Sequence, residues 1–94
     1  VTLLSDQEIG TALRDLPGWQ RHRSELRRSV TFATFREGID AVSRIAGLAD
    51  AADHHPDIDI RWRTVTFILA THDEGGITER DTAMARAINE VAGI

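Results

Sequence analysis

Ninety-four residues with a formal net charge of −4, eleven arginines and no lysine point to one small acidic domain, residues 1–94, with a single core and no separate cofactor domain. The acidic balance argues against nonspecific nucleic-acid binding, and the absence of cysteine excludes disulfides and thiolate metal sites. No apolar run approaches the length of a membrane span and no signal peptide is present, so a soluble cytoplasmic protein is the expectation.

Ser5-Asp6-Gln7-Glu8 is a capping box, in which a Ser hydroxyl and a Glu carboxylate satisfy each other's backbone N–H groups, so a helix starts there. Ile9, Leu13 and Leu16 give it one apolar face, and Pro17-Gly18 stops it. Trp19 opens a short strand as a core anchor, and His22 reads as an exposed residue. Arg23-Ser24-Glu25 is a turn. Leu26, Arg28, Val30 and Phe32 then alternate with Arg27, Ser29 and Thr31, the period of a second strand with one mostly apolar face. The cluster of Arg21, Arg23, Arg27 and Arg28 is interrupted by Glu25 and reads as a solvated strand face.

Thr34-Phe35-Arg36-Glu37 repeats the capping pattern, and Phe35, Ile39, Val42, Ile45, Ala46 and Ala49 follow at helical spacing, which predicts a long helix over roughly 35–51. It runs into Asp53-His54-His55-Pro56, where the residue before proline must be extended. Beyond it, Ile58, Ile60 and Trp62 fall on even positions and Val65, Phe67 and Leu69 on odd ones. A single change of parity near Arg63 marks a turn between two antiparallel strands. With the turn near residues 62–64, opposed residues have numbers summing to roughly 125 to 127, which sets His72 opposite His54 or His55. Three histidines are thereby gathered at the two ends of one hairpin. Gly75-Gly76 permits positive φ, and Thr78-Glu79-Arg80-Asp81 starts a last helix whose apolar face is Met84, Ala87, Ile88 and Val91.

The order α-β-β-α-β-β-α predicts an α+β fold, a four-stranded mainly antiparallel sheet with three helices on one face. The other face and the edges are left uncovered, which favours self-association.

Three readings of the histidine cluster compete on spacing alone. Imidazoles titrate near neutrality and can offer an acid and a base together; three neutral rings can hold zinc with an open position; or the rings can serve structure. Asp57, Asp59, Asp73 and Glu74 read mainly as solvated turn or strand residues, while Asp53 is placed to orient an imidazole.

The run Asp53-His54-His55-Pro56, a fourteen-residue gap, Thr71-His72, then Gly75-Gly76-Ile77-Thr78 and Asp81, closely resembles the pterin-4a-carbinolamine dehydratases. Ser5, Glu8, Gly18-Trp19 and the Phe35 to Asp50 helix extend the resemblance over most of the chain. What it implies is dehydration of 4a-hydroxytetrahydropterin to the quinonoid dihydropterin, in recycling of the cofactor spent by aromatic amino acid hydroxylases, with no metal and no cofactor of the enzyme's own. Carried over, the catalytic residues are His54, His55 and His72, and the substrate-binding residues are Asp53, Pro56, Thr71 and Asp73. Asp81 matches a support position that its capping role explains equally well. The implied partners are the pterin and, functionally, a hydroxylase, with a homodimer or homotetramer as the assembly and neither nucleic acid nor membrane bound. Asp57 and Ile58, where animal enzymes carry Glu and Trp, and Trp62, where a phenol is common, are departures that bear on the pocket wall. The alternative is a catalytically silent dimerisation or assembly module of the same fold, and the three retained histidines favour the enzyme.

Overall fold

The computed structural model describes residues 1–93. In chain order it contains α1 (Asp6–Arg14), β1 (Gln20–His22), β2 (Glu25–Thr31), α2 (Phe35–Ala52), β3 (Asp57–Arg61), β4 (Thr64–Leu69), a one-turn 3₁₀ helix (His72–Glu74) and α3 (Glu79–Ala92). The four strands form one antiparallel sheet in the order β1-β2-β4-β3. This is the α+β arrangement read from the sequence.

All three helices start where the capping chemistry requires. The Ser5 hydroxyl accepts from the Glu8 N–H at 3.1 Å while the Glu8 carboxylate accepts from the Ser5 N–H at 2.8 Å, and that backbone bond holds the Glu8 carboxyl below the ordinary glutamate range. Thr34 accepts from the Glu37 N–H at 3.0 Å, and Thr78 with Asp81 forms a reciprocal box at α3.

Burial alternates along the sheet. Leu26, Val65, Phe67 and Leu69 are fully buried on the helix side, where they meet Ile9, Leu16, Trp19, Ile45, Ala49, Met84 and Ile88. Removing Phe67 beyond Cβ from such a site costs about 3–5 kcal/mol. On the opposite side Ser29 bonds Thr66 at 2.8 Å and Thr31 bonds Thr64 at 2.9 Å across the strands. The bare face is therefore polar, and the apolar surface lies instead at the β3 edge, where Ile60 is 40% and Trp62 72% exposed.

Three details differ from the sequence expectation. Trp62, counted with the even-numbered apolar residues of β3, lies inside the expected turn, with a left-handed φ of 53° that the alternation did not announce and its ring under the Arg63 guanidinium at 4.4 Å. The buried face of α2 runs through Gly38, Ala41, Ile45 and Ala49, because the helix meets the sheet at Gly38, against Phe32 and Val65. Phe35, in the first turn before that contact, is left exposed, as is Ala46. Arg28, on the apolar side of β2, reaches the Pro17 carbonyl and Asn89 Oδ1; Asn89 also accepts from the Trp19 indole at 2.9 Å. Burial lowers the pKa of that guanidinium.

Candidate active site

The site is assembled at the point where α2 ends, β4 ends and α3 begins. Helix α2 closes with a Schellman motif: the Asp53 N–H donates to the Asp50 carbonyl at 3.2 Å and the His54 N–H to the Ala49 carbonyl at 3.1 Å, with Asp53 in the left-handed region at φ 49°, ψ 44°. This reversal carries His54 back under the protein, where it is buried, while His55 remains exposed. At the other strand end, β4 stops at Leu69 and the chain turns through a tight loop. The Thr71 N–H donates to the Gly76 carbonyl at 2.8 Å, Gly75 takes φ 75°, and His72 sits at the start of the 3₁₀ turn.

The three histidines do come together, though not by direct opposition in the hairpin. The hairpin pairs Ile58 with Phe67 and Ile60 with Val65, within the expected register, but the paired region ends at Asp57 and Ile68. The capping turn of α2 and the Thr71–Gly76 loop complete the approach. A cavity of about 230 Å³ is lined by Asp53, His54, His55, Ala70, Thr71, His72, Asp73 and Arg80. Six of the seven site residues read from the sequence line it. Pro56 is half-buried and lies outside the lining. A larger open recess of about 540 Å³ on the bare sheet face contains no histidine, and two of its arginines, Arg27 and Arg61, are paired with Glu25 and Asp59.

Each histidine has a different setting. His54 Nε2 lies 2.6 Å from Asp81 Oδ1, and Asp81 is fully buried. The second oxygen of Asp81 accepts from the Thr71 hydroxyl at 2.8 Å and from the Thr78 N–H at 2.9 Å. Facing a carboxylate oxygen, Nε2 of His54 is the side of the ring committed to Asp81, and Nδ1 makes no hydrogen bond among the described residues. His55 Nε2 lies 2.9 Å from Asp50 Oδ1 at the surface. The His72 ring has no hydrogen bond among the described residues.

The carboxylates bonded to the imidazoles are thus Asp81 and Asp50, whereas Asp53 supplies the backbone reversal and makes no hydrogen bond to either ring. Thr71 spends its hydroxyl on Asp81 and Thr78, and its N–H and carbonyl on the loop. The sequence reading missed Asp50 and Arg80. Asp50, one helical turn before the chain reversal, left a faint signal; Arg80 left none. Among the described residues, no three histidine, aspartate or glutamate side chains are grouped so as to hold one metal ion.

Residues 2–91 match the family model described as Pterin 4 alpha carbinolamine dehydratase. The chain belongs to that family. Members of this dehydratase family are hydro-lyases. A Mycobacteroides abscessus protein provisionally named pterin-4-alpha-carbinolamine dehydratase is 59% identical over 93 residues, covering 99% of each chain. A relative from Mycobacterium avium with the same provisional name is 58% identical over 93 residues, again covering 99% of each chain. Among solved structures, a transcriptional coactivator/pterin dehydratase from Brucella melitensis superposes with a TM-score of 0.95 at 37% identity, covering 98% of this chain and 100% of that one. A pterin dehydratase-like RuBisCO assembly factor of the alpha-carboxysome shares the fold, with a TM-score of 0.66 at 21% identity over 80% of this chain and 87% of its own. Within the described residues of this family member, no helix is long and apolar enough to cross a membrane.

Proposed function

We propose that this chain dehydrates 4a-hydroxytetrahydropterin to the quinonoid dihydropterin by histidine acid/base catalysis. The observation that carries the reading is three imidazoles around one cavity in three different settings. Loss of water from C4a needs a proton delivered to the departing hydroxyl and another removed from N5, so one protonated and one neutral ring complete the step. His54, held by Asp81, offers Nδ1; His55, held by Asp50, likewise offers Nδ1; His72 has both nitrogens free among the described residues. Asp53 and Asp73 contribute carboxylates to the rim, and Arg80 a cation.

The reading asks for no metal, because only protons move. Turnover of freshly generated 4a-hydroxytetrahydropterin, measured above its spontaneous dehydration and repeated after exhaustive chelation, tests it. Undiminished turnover after chelation is expected, and a loss restored by zinc would replace proton transfer with a three-histidine metal site.

In this reading the protein works in the cytoplasm on pterin released by an aromatic amino acid hydroxylase. It assembles as a homodimer or homotetramer through its open edges, of which β3 carries Ile60, with Trp62 in the turn that follows it. A monomer mass in sedimentation at micromolar concentration would count against the assembly. The Brucella melitensis relative, described as a coactivator as well as a dehydratase, favours a second reading as a dimerisation or assembly module. That reading requires a folded chain with no turnover above background.

A further inference from the structure

His72 differs from the other two histidines in what holds it. His54 is tied to Asp81 and His55 to Asp50, whereas the exposed His72 ring makes no hydrogen bond among the described residues. Its position is therefore set by the backbone of the loop that carries it. That loop is closed on itself by the Thr71 N–H to the Gly76 carbonyl at 2.8 Å and by the Gly75 and Gly76 N–H groups to the Thr71 carbonyl at 3.0 and 3.3 Å. Its first residue is anchored to the site, because the Thr71 hydroxyl donates to Asp81.

The other end is anchored by the segment before α1. The Leu4 N–H donates to the Ile77 carbonyl at 2.9 Å. The Leu3 side chain lies over Gly76 so closely that a Cβ at Gly76 would sit 3.0 Å from Leu3 Cδ2, with Ser24 of the first hairpin turn at 3.9 Å. Leu4 packs against the core and Ser5 starts the capping box, so this segment has a fixed purchase of its own. Gly76 and Ile77 are buried beneath it.

We propose that Leu3 and Leu4 are positioning residues for His72: by clamping Gly76 and Ile77 against the rest of the fold they hold the loop that presents the imidazole to the cavity. This rests on the acid/base reading of His72 given above. A ring placed by its backbone alone transmits any loosening of that backbone directly to the reacting atoms, and misplacement by about 1 Å costs on the order of 10²-fold in rate.

The test uses two variants of the full chain. Leu4→Pro removes the N–H that the Ile77 carbonyl accepts, and Leu3→Ala removes the cover over Gly76 and leaves the backbone donors in place. In both, amide exchange at Gly75 and Gly76 should accelerate by about tenfold or more while the amides of β4 keep their protection. The kcat should fall by roughly 10- to 10²-fold with KM within about threefold, and neither substitution should lower turnover further in a His72→Ala background. Unchanged exchange at Gly76 overturns the clamp. A loosened loop with parental kcat overturns its role in positioning, as does an equal loss in the His72→Ala background, which a merely destabilised fold would give. Parental turnover by His72→Ala itself, with the exchange result intact, would locate the failure in the acid/base reading and remove the proposal with it.

Discussion

His54 and Asp81 meet at 2.6 Å with both side chains withdrawn from water, and the same carboxylate caps α3 through the Thr78 N–H. One buried group therefore joins helix initiation to the orientation of a histidine. In Asp81→Asn one of the two oxygens becomes an amide. Either His54 faces a donor, or the Thr71 hydroxyl and Thr78 N–H do. The variant should lose about 1–3 kcal/mol in chemical unfolding, the cost of a buried polar group left without its partner. Turnover should fall as well, since the orientation of His54 is no longer fixed. Parental turnover by a folded Asp81→Asn protein would mean that this orientation is irrelevant to the chemistry.

Asp53 permits its backbone and side-chain roles to be separated. A non-glycine residue in the left-handed region is disfavoured by about 1–2 kcal/mol, and aspartate is among the residues that tolerate it. Asp53→Ala should lose stability, whereas Asp53→Gly should keep or slightly raise it, since glycine is at ease at φ 49°. Thermal unfolding of the pair checks the Schellman reversal. Activity of Asp53→Gly then reports the carboxylate alone, and a large loss in that stable variant would assign it to the substrate.

Asn89 is the junction between Trp19, Arg28 and Pro17. Its Oδ1 accepts from the indole and the guanidinium, and its Nδ2 donates to the Pro17 carbonyl at 3.2 Å. Asn89→Ala leaves the buried Trp19 indole N–H without its acceptor, while Arg28 and the Pro17 carbonyl keep each other, so a loss of about 1–3 kcal/mol is expected. Turnover should be unaffected at temperatures where the variant is folded, because none of Pro17, Trp19, Arg28 and Asn89 lines the cavity. Urea unfolding measured beside an activity assay on the same preparation would reveal a departure from either expectation.

The elements legible in the sequence were those governed by local chemistry. Ser5, Thr34 and Thr78 announce helix starts because capping involves only residues a few positions apart, and Val65, Phe67 and Leu69 announce a strand because burial alternates with the pleat. The family resemblance supplied the histidines' functional reading and the rest of the site set. What stayed illegible depends on long-range contacts. Arg28 occupies an apolar-side position whose logic appears only when Asn89, distant in sequence, is beside it. The carboxylate partner of His54 could not be chosen among the nearby acids by proximity in sequence. Asp53 is adjacent and makes no hydrogen bond to the ring, and Asp81 is brought in by the packing of α3. The turn itself falls within the 62–64 expected from parity, but parity says nothing about φ, and the left-handed backbone of Trp62 was not legible.

The most direct measurement compares dehydration above the spontaneous rate for the parental chain, His55→Ala, His72→Ala and the double variant, with thermal unfolding of each preparation. Each single change should lower turnover by on the order of 10²- to 10⁴-fold, the usual consequence of removing one positioned acid or base, with little loss of stability because both rings are exposed. If the two rings act in one proton-transfer step, the double variant should lose much less than the product of the single losses. Near-parental turnover by both folded single variants would contradict the catalytic assignment and leave the histidines to structure or to a partner.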